Sequence, residues 1–233
     1  AMPKDLAQEL LAFMHEEYHR CLAAVLKDST RVPELFSNVM MPRAGADAPT
    51  TRWDMRLPME PVVYRALGAL LGHENLEGLG AGFEDLAGKD AELWELGVTV
   101  TEPGAVPQAV HCDAPARCLY TAFVALQPIS YEMGPTHFWP GTNTVVAHRR
   151  FEAAPREFLE PLQPVAPLLD AGDAVLYDSR VLHCGAGNAS QQRRALMYVT
   201  FRAESADAES LGVRQHSIRP DLKGRVRLRQ FRP

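Results

Sequence analysis

The chain of 233 residues lacks the features that mark several protein classes. It has no apolar run near the roughly 20 residues of a membrane span, and its N-terminus lacks the basic-then-apolar order of a signal peptide. Basic residues are not in excess, with 24 Lys and Arg against 29 Asp and Glu, so composition gives no reason to expect a nucleic acid or membrane partner. These absences predict a soluble, cytoplasmic protein, with an upstream targeting segment left open.

Cysteine and linker sequence are also scarce. The four cysteines form no C-x-x-C pair and are predicted to be reduced thiols. No Gly/Ser-rich linker, low-complexity tract or internal repeat divides the chain, which predicts one domain over residues 1–233. The one basic segment, residues 214–233, is interpreted as a solvated end.

The hydrophobic pattern predicts helices first and strands later. Residues 4–27 repeat apolar side chains at three- and four-residue steps, which indicates an amphipathic helix. Residues 60–72 predict a second helix, with a proline near its start and a glycine at its end. From about residue 93, short β-rich runs alternate with turn residues: "LWELGVTVTEP", "CLYTAFVALQPI", "DAVLYDSRVLH" and "RALMYVTFRA". We therefore expect a helical region over 1–92, a β-sandwich or barrel over 93–202 and a basic tail over 203–233.

The stretch "HEEYH", residues 15–19, matches the H-E-x-x-H pattern of zinc proteases. His15, Glu16 and His19 could therefore belong to a zinc hydrolase. The motif lies on the flank of the first amphipathic helix among charged neighbours, whereas a zinc protease needs this helix in a cleft beside a third ligand. A solvated helix flank is the favoured interpretation, and the zinc hydrolase remains an alternative.

A second candidate site lies in "VPQAVHCDAPAR", residues 106–117. If this segment is a strand, His111 and Asp113 point to the same face, because side chains alternate along a strand. His183, in "DSRVLHCGAGN", is the best-placed third ligand. Two histidines and one carboxylate form the facial triad of Fe(II) oxygenases. The alternatives are buried, hydrogen-bonded histidines and a turn or capping role for Asp113.

An oxygenase that uses 2-oxoglutarate must also hold the far carboxylate of that dianion. A guanidinium binds a carboxylate through two parallel hydrogen bonds and keeps its charge, which lysine does less well. Arg194, eleven residues after His183, is the predicted anchor, with Arg193 as the alternative. Gln108 could donate an amide hydrogen bond to the metal-bound end of the cosubstrate.

Four ordered segments resemble the phytanoyl-CoA dioxygenase family of Fe(II)- and 2-oxoglutarate-dependent oxygenases. They are "PGAVPQAVHCD" (103–113), "GPTHFWPGTN" (134–143), "GDAVLYDSRVLH" (172–183) and "RR" (193–194). The resemblance extends from about Leu93 to Phe201. It implies a mainly β fold, the double-stranded β-helix (jelly roll, cupin-like), with flanking α-helices at the N-terminus.

The resemblance also implies the roles of individual residues. His111, Asp113 and His183 would bind Fe(II), Arg194 would bind 2-oxoglutarate, and Gln108 with Thr136 would lie near the other end of this cosubstrate. An intact aspartate at position 113 favours hydroxylation with O2, since related halogenases have a small residue there. The expected substrate is a small or medium-sized metabolite, and a non-catalytic, cupin-like metal-binding module is the alternative. The family usually has Ser-His where this chain has Thr142 and Asn143, which leaves the substrate open.

Overall fold

The computed structural model of this chain describes residues 1–37, 51–72, 78–114, 118–206 and 217–232. These residues contain six α-helices: α1 Lys4–Lys27, α2 Val32–Leu35, α3 Pro61–Leu71, α4 Leu79–Ala87, α5 Val145–Ala153 and α6 Pro155–Leu159. They contain seven strands: β1 Arg52–Arg56, β2 Glu92–Thr101, β3 Leu119–Ala125, β4 Thr136–Trp139, β5 Ala174–Asp178, β6 Leu182–Gly185 and β7 Arg194–Arg202. None of the described helices is long and apolar enough to cross a bilayer. All four cysteines are described, and no disulfide bond joins them, as predicted.

Two antiparallel sheets form the β part of the molecule. The larger has the strand order β1-β2-β7-β3-β5, and the smaller pairs β4 with β6. Side chains of the two sheets contact each other: the rings of Phe123 and Phe138 are 6.3 Å apart, and those of Tyr177 and His183 are 5.2 Å apart. The sheets therefore face each other, which confirms the predicted β-sandwich arrangement.

The central strand β7 shows how the large sheet serves two purposes. All of its residues except the last are buried. One face packs in the main hydrophobic core with the helices: Ala195, Met197, Val199 and Phe201. The opposite face is directed towards the small sheet and carries Arg194, Leu196, Tyr198 and Thr200. Because side chains alternate along a strand, the same nine residues build both the core and the wall of the candidate site.

The two predicted helices are confirmed as α1 and α3, and the strand-rich region begins where expected. The buried face of α1 differs slightly from the apolar pattern, because Cys21 is fully buried whereas Leu22 and Val25 are only partly buried. The region predicted as helical also contains β1, which pairs with β2 and forms an edge of the large sheet.

Two strand predictions require correction. The run "DAVLYDSRVLH" is not one strand, since it contains β5 and β6, which belong to different sheets. His111 and Asp113 do not lie in a regular strand, although His111 forms an isolated antiparallel bridge with His183. The nearby Pro107 has no amide hydrogen to donate, which disfavours continuous pairing of this segment.

The C-terminal segment was interpreted as a solvated end, and this is wrong for residues 217–232. Ile218, Leu228 and Phe231 are buried in the main core. The Arg232 guanidinium is 4% exposed and donates to the carbonyls of Leu71 and Gly72, both at 3.1 Å, at the end of α3. A cation at a helix C-terminus is stabilised by the unpaired carbonyls there. Residues 214–216 and 233 lie outside the described residues.

Glu17 connects α1 to this C-terminal segment. Its carboxylate is 5% exposed and accepts hydrogen bonds from Arg20 at 2.6 Å and from Arg219 at 2.6 Å. We expect Glu17→Ala to lower the free energy of unfolding by about 2 kcal/mol, because the largely buried Arg219 loses a charged acceptor. Urea denaturation measures this change. The exposed neighbour Glu16 provides the matched control, and Glu16→Ala is expected to change the free energy of unfolding by less than about 0.5 kcal/mol. Equal losses of stability in the two variants would contradict a stabilising role for the Glu17–Arg219 contact.

Candidate metal centre

The structure brings His111, Asp113 and His183 together in a cluster that could hold a metal ion. One ligand atom from each lies within 4.8 Å of the others. The Nε2 atoms of His183 and His111 are 3.4 and 3.8 Å from Oδ1 of Asp113. Two imidazole nitrogens and one carboxylate oxygen around one point form the donor set that the sequence predicted.

The backbone places these three residues. His111 and His183 exchange both main-chain hydrogen bonds, at 2.9 and 2.8 Å, so the strand β6 holds the two histidines side by side. The amide of Asp113 donates to the carbonyl of Ser179 at 3.0 Å, in the turn between β5 and β6. Two chain segments more than 60 residues apart in sequence are thus joined at the cluster.

The hydrogen bonds of the imidazoles determine which nitrogen faces the centre. Nδ1 of His111 lies 2.8 Å from the carbonyl of Ala109, and Nδ1 of His183 lies 3.0 Å from that of Val181. A carbonyl only accepts, so each Nδ1 carries the hydrogen. In the neutral ring each Nε2 then has a free lone pair, which is the form that binds a metal.

Tyr177 orients the carboxylate of Asp113. Its hydroxyl donates to Oδ2 at 2.7 Å and leaves Oδ1 directed towards the histidines. Burial alone would raise the pKa of Asp113, but the charge of His183 and the hydrogen bonds from His183 and Tyr177 outweigh it and lower the pKa to about 2. Burial is the largest cause that lowers the pKa of His111, and the charge of the neighbouring His183 is the second. The carboxylate is therefore ionised at neutral pH, as a metal ligand must be.

The cluster opens onto a cavity of about 710 Å³ between the two sheets. Arg194 lines this cavity and is 2% exposed. One of its nitrogens donates to Oγ1 of Thr101 at 3.3 Å, but Nε and NH1 are buried without a hydrogen-bond partner among the described residues. Burial, and secondarily the charge of Arg52, lowers the pKa of Arg194 to about 10, so the group is still a cation at pH 7. A buried cation with unsatisfied donors fits an anionic ligand in the cavity.

The neighbouring Arg193 has a different environment. Its Nε donates to Glu102 at 2.9 Å, and its guanidinium stacks on the ring of Tyr18 at 4.8 Å. Arg193 thus contacts Glu102 and Tyr18 outside the cavity. Of the two arginines considered from the sequence, Arg194 is the one that lines the cavity.

Gln108 and Thr136 line the same cavity. Oε1 of Gln108 accepts from the amide of Gly185 at 2.9 Å, which orients the plane of its side-chain amide. A Cβ atom at position 185 would lie 2.6 Å from both Gln108 and Arg52, so the close approach of these side chains requires glycine there.

Arg52 was not predicted from the sequence. It is 8% exposed and donates to three main-chain carbonyls, those of Val106, Gly185 and Ala186, at 3.0–3.5 Å. It thereby connects β1 to both segments that carry Gln108 and His183. Its signal in the sequence is the alternation of "RWDMR", in which the charged residues at 52, 54 and 56 share one face.

Residues Trp94, Glu95 and Asp54 also line the cavity and were not among the predicted site residues. The sequence pattern favours a core position for Trp94, since a large aromatic residue in an apolar strand is usually buried. A β-bulge between Leu93 and Glu95 changes the alternation at this point. A single carboxylate inside the apolar run "LWELGV" is the feature that could have drawn attention to Glu95.

The "HEEYH" motif lies on α1, as predicted, where Glu16 and His19 are exposed and His15 is partly buried. Within the described part of the chain, His15, Glu16 and His19 belong to no group of three metal-binding side chains. This position agrees with the interpretation of the motif as the flank of a helix.

Comparison with known proteins shows which family this chain belongs to. The family model described as phytanoyl-CoA dioxygenase (PhyH) matches residues 14–196, which is most of the sequence. The chain belongs to the phytanoyl-CoA dioxygenase family. The match includes all six residues that the sequence motifs selected, from Gln108 to Arg194.

Two curated relatives are fungal members of similar sequence. The multifunctional dioxygenase ausE of Aspergillus calidoustus is 30% identical over 143 residues, and that of Emericella nidulans is 29% identical over 143 residues. In both cases the match covers 55% of this chain and 44% of the relative. The chain thus spans less than half the length of the curated relatives that it matches.

Solved structures show the fold of this PhyH-family chain. The epimerase SnoN from nogalamycin biosynthesis has a TM-score of 0.56 at 23% identity, covering 78% of this chain and 71% of SnoN. EctD from S. alaskensis, solved with 2-oxoglutarate and 5-hydroxyectoine, has a TM-score of 0.57 at 16% identity, covering 88% of this chain and 70% of EctD. These similarities confirm the predicted jelly-roll fold; among the described strands the sheets are open and do not close into a barrel.

The hydrogen bond from Tyr177 to Asp113 leads to a prediction for this PhyH-family site. We expect Tyr177→Phe to weaken divalent-metal binding by about tenfold, because loss of a partner that orients a ligand typically costs about 10–100-fold. Phenylalanine retains the ring contacts with Phe123 and Phe138, at 5.2 and 5.0 Å. Competition with a chromogenic chelator measures the affinity. Tyr131→Phe, at an exposed position, serves as the control. An unchanged metal affinity in Tyr177→Phe would show that the Tyr177 hydroxyl does not contribute to metal binding.

Proposed function

We propose that this protein is an Fe(II)- and 2-oxoglutarate-dependent dioxygenase that hydroxylates a small or medium-sized metabolite. The observation that carries this proposal is one cavity that contains both the His111, Asp113 and His183 cluster and the guanidinium of Arg194, whose Nε and NH1 have no hydrogen-bond partner among the described residues. The first provides a metal-binding donor set, and the second provides a cation for a carboxylate. Membership of the phytanoyl-CoA dioxygenase family supports the same activity.

The three proposed ligands would occupy one face of the metal and leave the rest to the cosubstrate and O2. When bound, Fe(II) supplies the oxidative chemistry, in which 2-oxoglutarate is converted to succinate and CO2. The contribution of the protein is to direct Nε2 of both histidines towards the metal position and to keep Asp113 ionised. The hydrogen bonds from Nδ1 to backbone carbonyls and from Tyr177 to Asp113 perform this task before the metal arrives.

Arg194 is proposed to bind the carboxylate of 2-oxoglutarate that is remote from the metal. Its Nε and NH1 groups would then gain acceptors and its charge would be neutralised within a buried site. Gln108 and Thr136 are proposed to contact the cosubstrate nearer the metal, since both line the cavity. Because the Gln108 amide is already oriented by Gly185, it would bind with little loss of side-chain freedom.

The test is an anaerobic titration of the metal-free protein with Fe(II) and 2-oxoglutarate, followed by admission of O2. We expect a weak visible charge-transfer band that saturates near one equivalent, and succinate after O2 is added. A band without succinate, even with a broad panel of metabolites, would favour the non-catalytic metal-binding module. Folded protein that binds zinc and gives no band would favour the hydrolase alternative at His15, Glu16 and His19.

A further inference from the structure

One part of the cavity carries two carboxyl groups that the proposed iron site does not use. Asp54 on β1 and Glu95 on β2 line the same cavity as the candidate metal cluster. In the loaded site, Fe(II) and Arg194 would balance Asp113 and the two carboxylates of 2-oxoglutarate. Among the described residues, the charge of Arg56 acts on both Asp54 and Glu95.

Both carboxyl oxygens of Asp54 accept hydrogen bonds from other residues of the protein. The hydroxyl of Tyr198 donates to one of its oxygens, and Oγ of Ser217 donates to the other at 2.9 Å. The Tyr198 side chain reaches Asp54 by crossing over Gly97, where any Cβ atom would collide with the phenol. Asp54 therefore acts as a buried structural acceptor that connects β1, β7 and the C-terminal segment.

Glu95 is in a different situation. Its Oε2 accepts from Oγ1 of Thr200 at 2.9 Å, and the main chain of Ser217 contributes a further hydrogen bond. Yet it forms no ion pair with any described residue, and its side chain is only partly buried because it borders the cavity. Burial, and next the charge of Asp113, raises the pKa of Glu95 to about 7. An unpaired carboxylate in such a wall gains most from a cationic partner.

The position of this carboxylate is well defined. Thr200 is hydrogen-bonded to Thr121 at 2.9 Å, and Thr121 to Ser179 at 2.8 Å, so a row of hydroxyls crosses the sheet behind the carboxylate. The row ends at the turn that also holds the backbone of Asp113. Glu95 and the metal cluster thus lie along one hydrogen-bonded wall, which suits a substrate held at both ends.

The neighbouring lining is apolar. Trp94, Ala114 and Leu119 contribute to the cavity together with Glu95. One side of the Trp94 ring is covered by the Arg202 guanidinium, at 4.9 Å, and this arginine is itself paired with Glu92 at 2.7 Å. A cavity of about 710 Å³ is larger than 2-oxoglutarate needs, since cavities of roughly 300–1,000 Å³ hold drug-sized ligands.

We infer that Glu95 is a specificity-determining residue that binds a basic nitrogen of the substrate, so the substrate class is amines with an apolar body. This inference rests on the proposed function. The ammonium group would pair with Glu95, the apolar body would lie against Trp94 and Leu119, and the carbon to be oxidised would face the metal cluster. The pairing supplies the direct ion pair that Glu95 does not form with any described residue.

The experiment compares amines with alcohols of matched shape on the protein loaded anaerobically with Fe(II) and 2-oxoglutarate. The probes are tryptamine and tryptophol, 2-phenylethylamine and 2-phenylethanol, and 1-aminoadamantane and 1-adamantanol. Isothermal titration calorimetry gives the dissociation constants at pH 8. We expect at least one amine to bind about tenfold or more tightly than its alcohol, and Glu95→Gln to remove this preference while alcohol affinity stays within about twofold. Glu157→Gln, which removes an exposed carboxylate on α6, should behave as the parent protein.

A pH series separates recognition by charge from a merely structural role of Glu95. The groups around it are Asp54 and Arg56 on β1, Tyr198 on β7, Tyr177 on β5, and Asp113. Because an amine stays protonated over this range while Glu95, whose pKa is raised, gains negative charge with pH, amine affinity should rise from pH 6 to pH 8. The Glu95→Gln variant should show a flat profile.

Three results would overturn the inference: equal binding of amines and alcohols, an amine preference that survives in Glu95→Gln, or no amine binding at millimolar concentration. The charge-transfer band of Fe(II) with 2-oxoglutarate, recorded in the same samples, separates this failure from a failure of the proposed function. If the band forms and amines are not preferred, only the substrate class is wrong. If the band does not form, the oxygenase proposal itself fails.

Discussion

Asp113→Ala should abolish Fe(II) binding and the formation of succinate. The variant removes the one anionic ligand of the cluster and leaves Tyr177 without its acceptor. Loss of a residue that only orients a ligand costs about 10–100-fold in metal affinity, so loss of the ligand should exceed about 100-fold. Anaerobic titration with Fe(II) and 2-oxoglutarate, read by the charge-transfer band, measures this directly. His183→Ala should have an equally large effect, since His183 is 3% exposed and its Nε2 faces the same point.

The control for this prediction is the double variant His15→Ala/His19→Ala. These two histidines lie on α1 and belong to no metal-binding group within the described residues. Metal content, band intensity and succinate yield should therefore match those of the parent protein. If the double variant lost its metal while Asp113→Ala retained it, the metal would be bound at "HEEYH" and the proposed iron site would be wrong.

Arg194→Ala should weaken the binding of 2-oxoglutarate by about 100-fold, because truncation of one partner of a buried charge pair removes several kcal/mol. Arg194→Lys should recover part of the loss, since lysine keeps the charge but not the two parallel hydrogen bonds. The measurement is the 2-oxoglutarate concentration at half-maximal band intensity with Fe(II) saturating. At saturating 2-oxoglutarate the rate of succinate formation should recover substantially in both variants.

Arg193→Ala provides a matched control from the adjacent position. Arg193 is paired with Glu102 and stacked on Tyr18, away from the cavity, so its loss should change 2-oxoglutarate affinity by no more than about threefold. A larger loss of 2-oxoglutarate affinity in Arg193→Ala than in Arg194→Ala would show that Arg193, and not Arg194, binds 2-oxoglutarate.

The candidate metal centre could be predicted from the sequence because its signals are local. His111 and Asp113 are two residues apart, and the short motifs around His183 and Arg194 keep their order along the chain. The alternation of β7 is equally local, and it explains why Arg194 and not Arg193 faces the cavity. A local sequence pattern contains residue types and their spacing. This information is sufficient where a single strand or turn positions the functional side chain.

The residues that were missed depend on contacts between distant segments. Arg52, Asp54 and Glu95 acquire their roles only when β1 pairs with β2 and β2 with β7, and the sequence contains no signal for that order. The C-terminal segment has basic composition, yet Leu228 and Phe231 are buried against the core. Charge predicted a solvated end there, whereas the few apolar residues between the charges decide the packing.

The alternation of β7 also bears on how new substrate preferences could arise in this fold. Insertion of one residue in β7 would exchange the helix-facing and cavity-facing side chains and destroy the core. Substitution at a cavity-facing position such as Leu196 alters the cavity and leaves the packing of Met197 and Val199 on the other face in place. A small library at the partly buried positions Trp94, Glu95 and Thr99 would sample new substrates at less cost in stability than changes at Leu196, which packs with Ala125 and Ile129. The two faces of the sheet therefore allow the cavity to be changed by directed evolution while the core is kept.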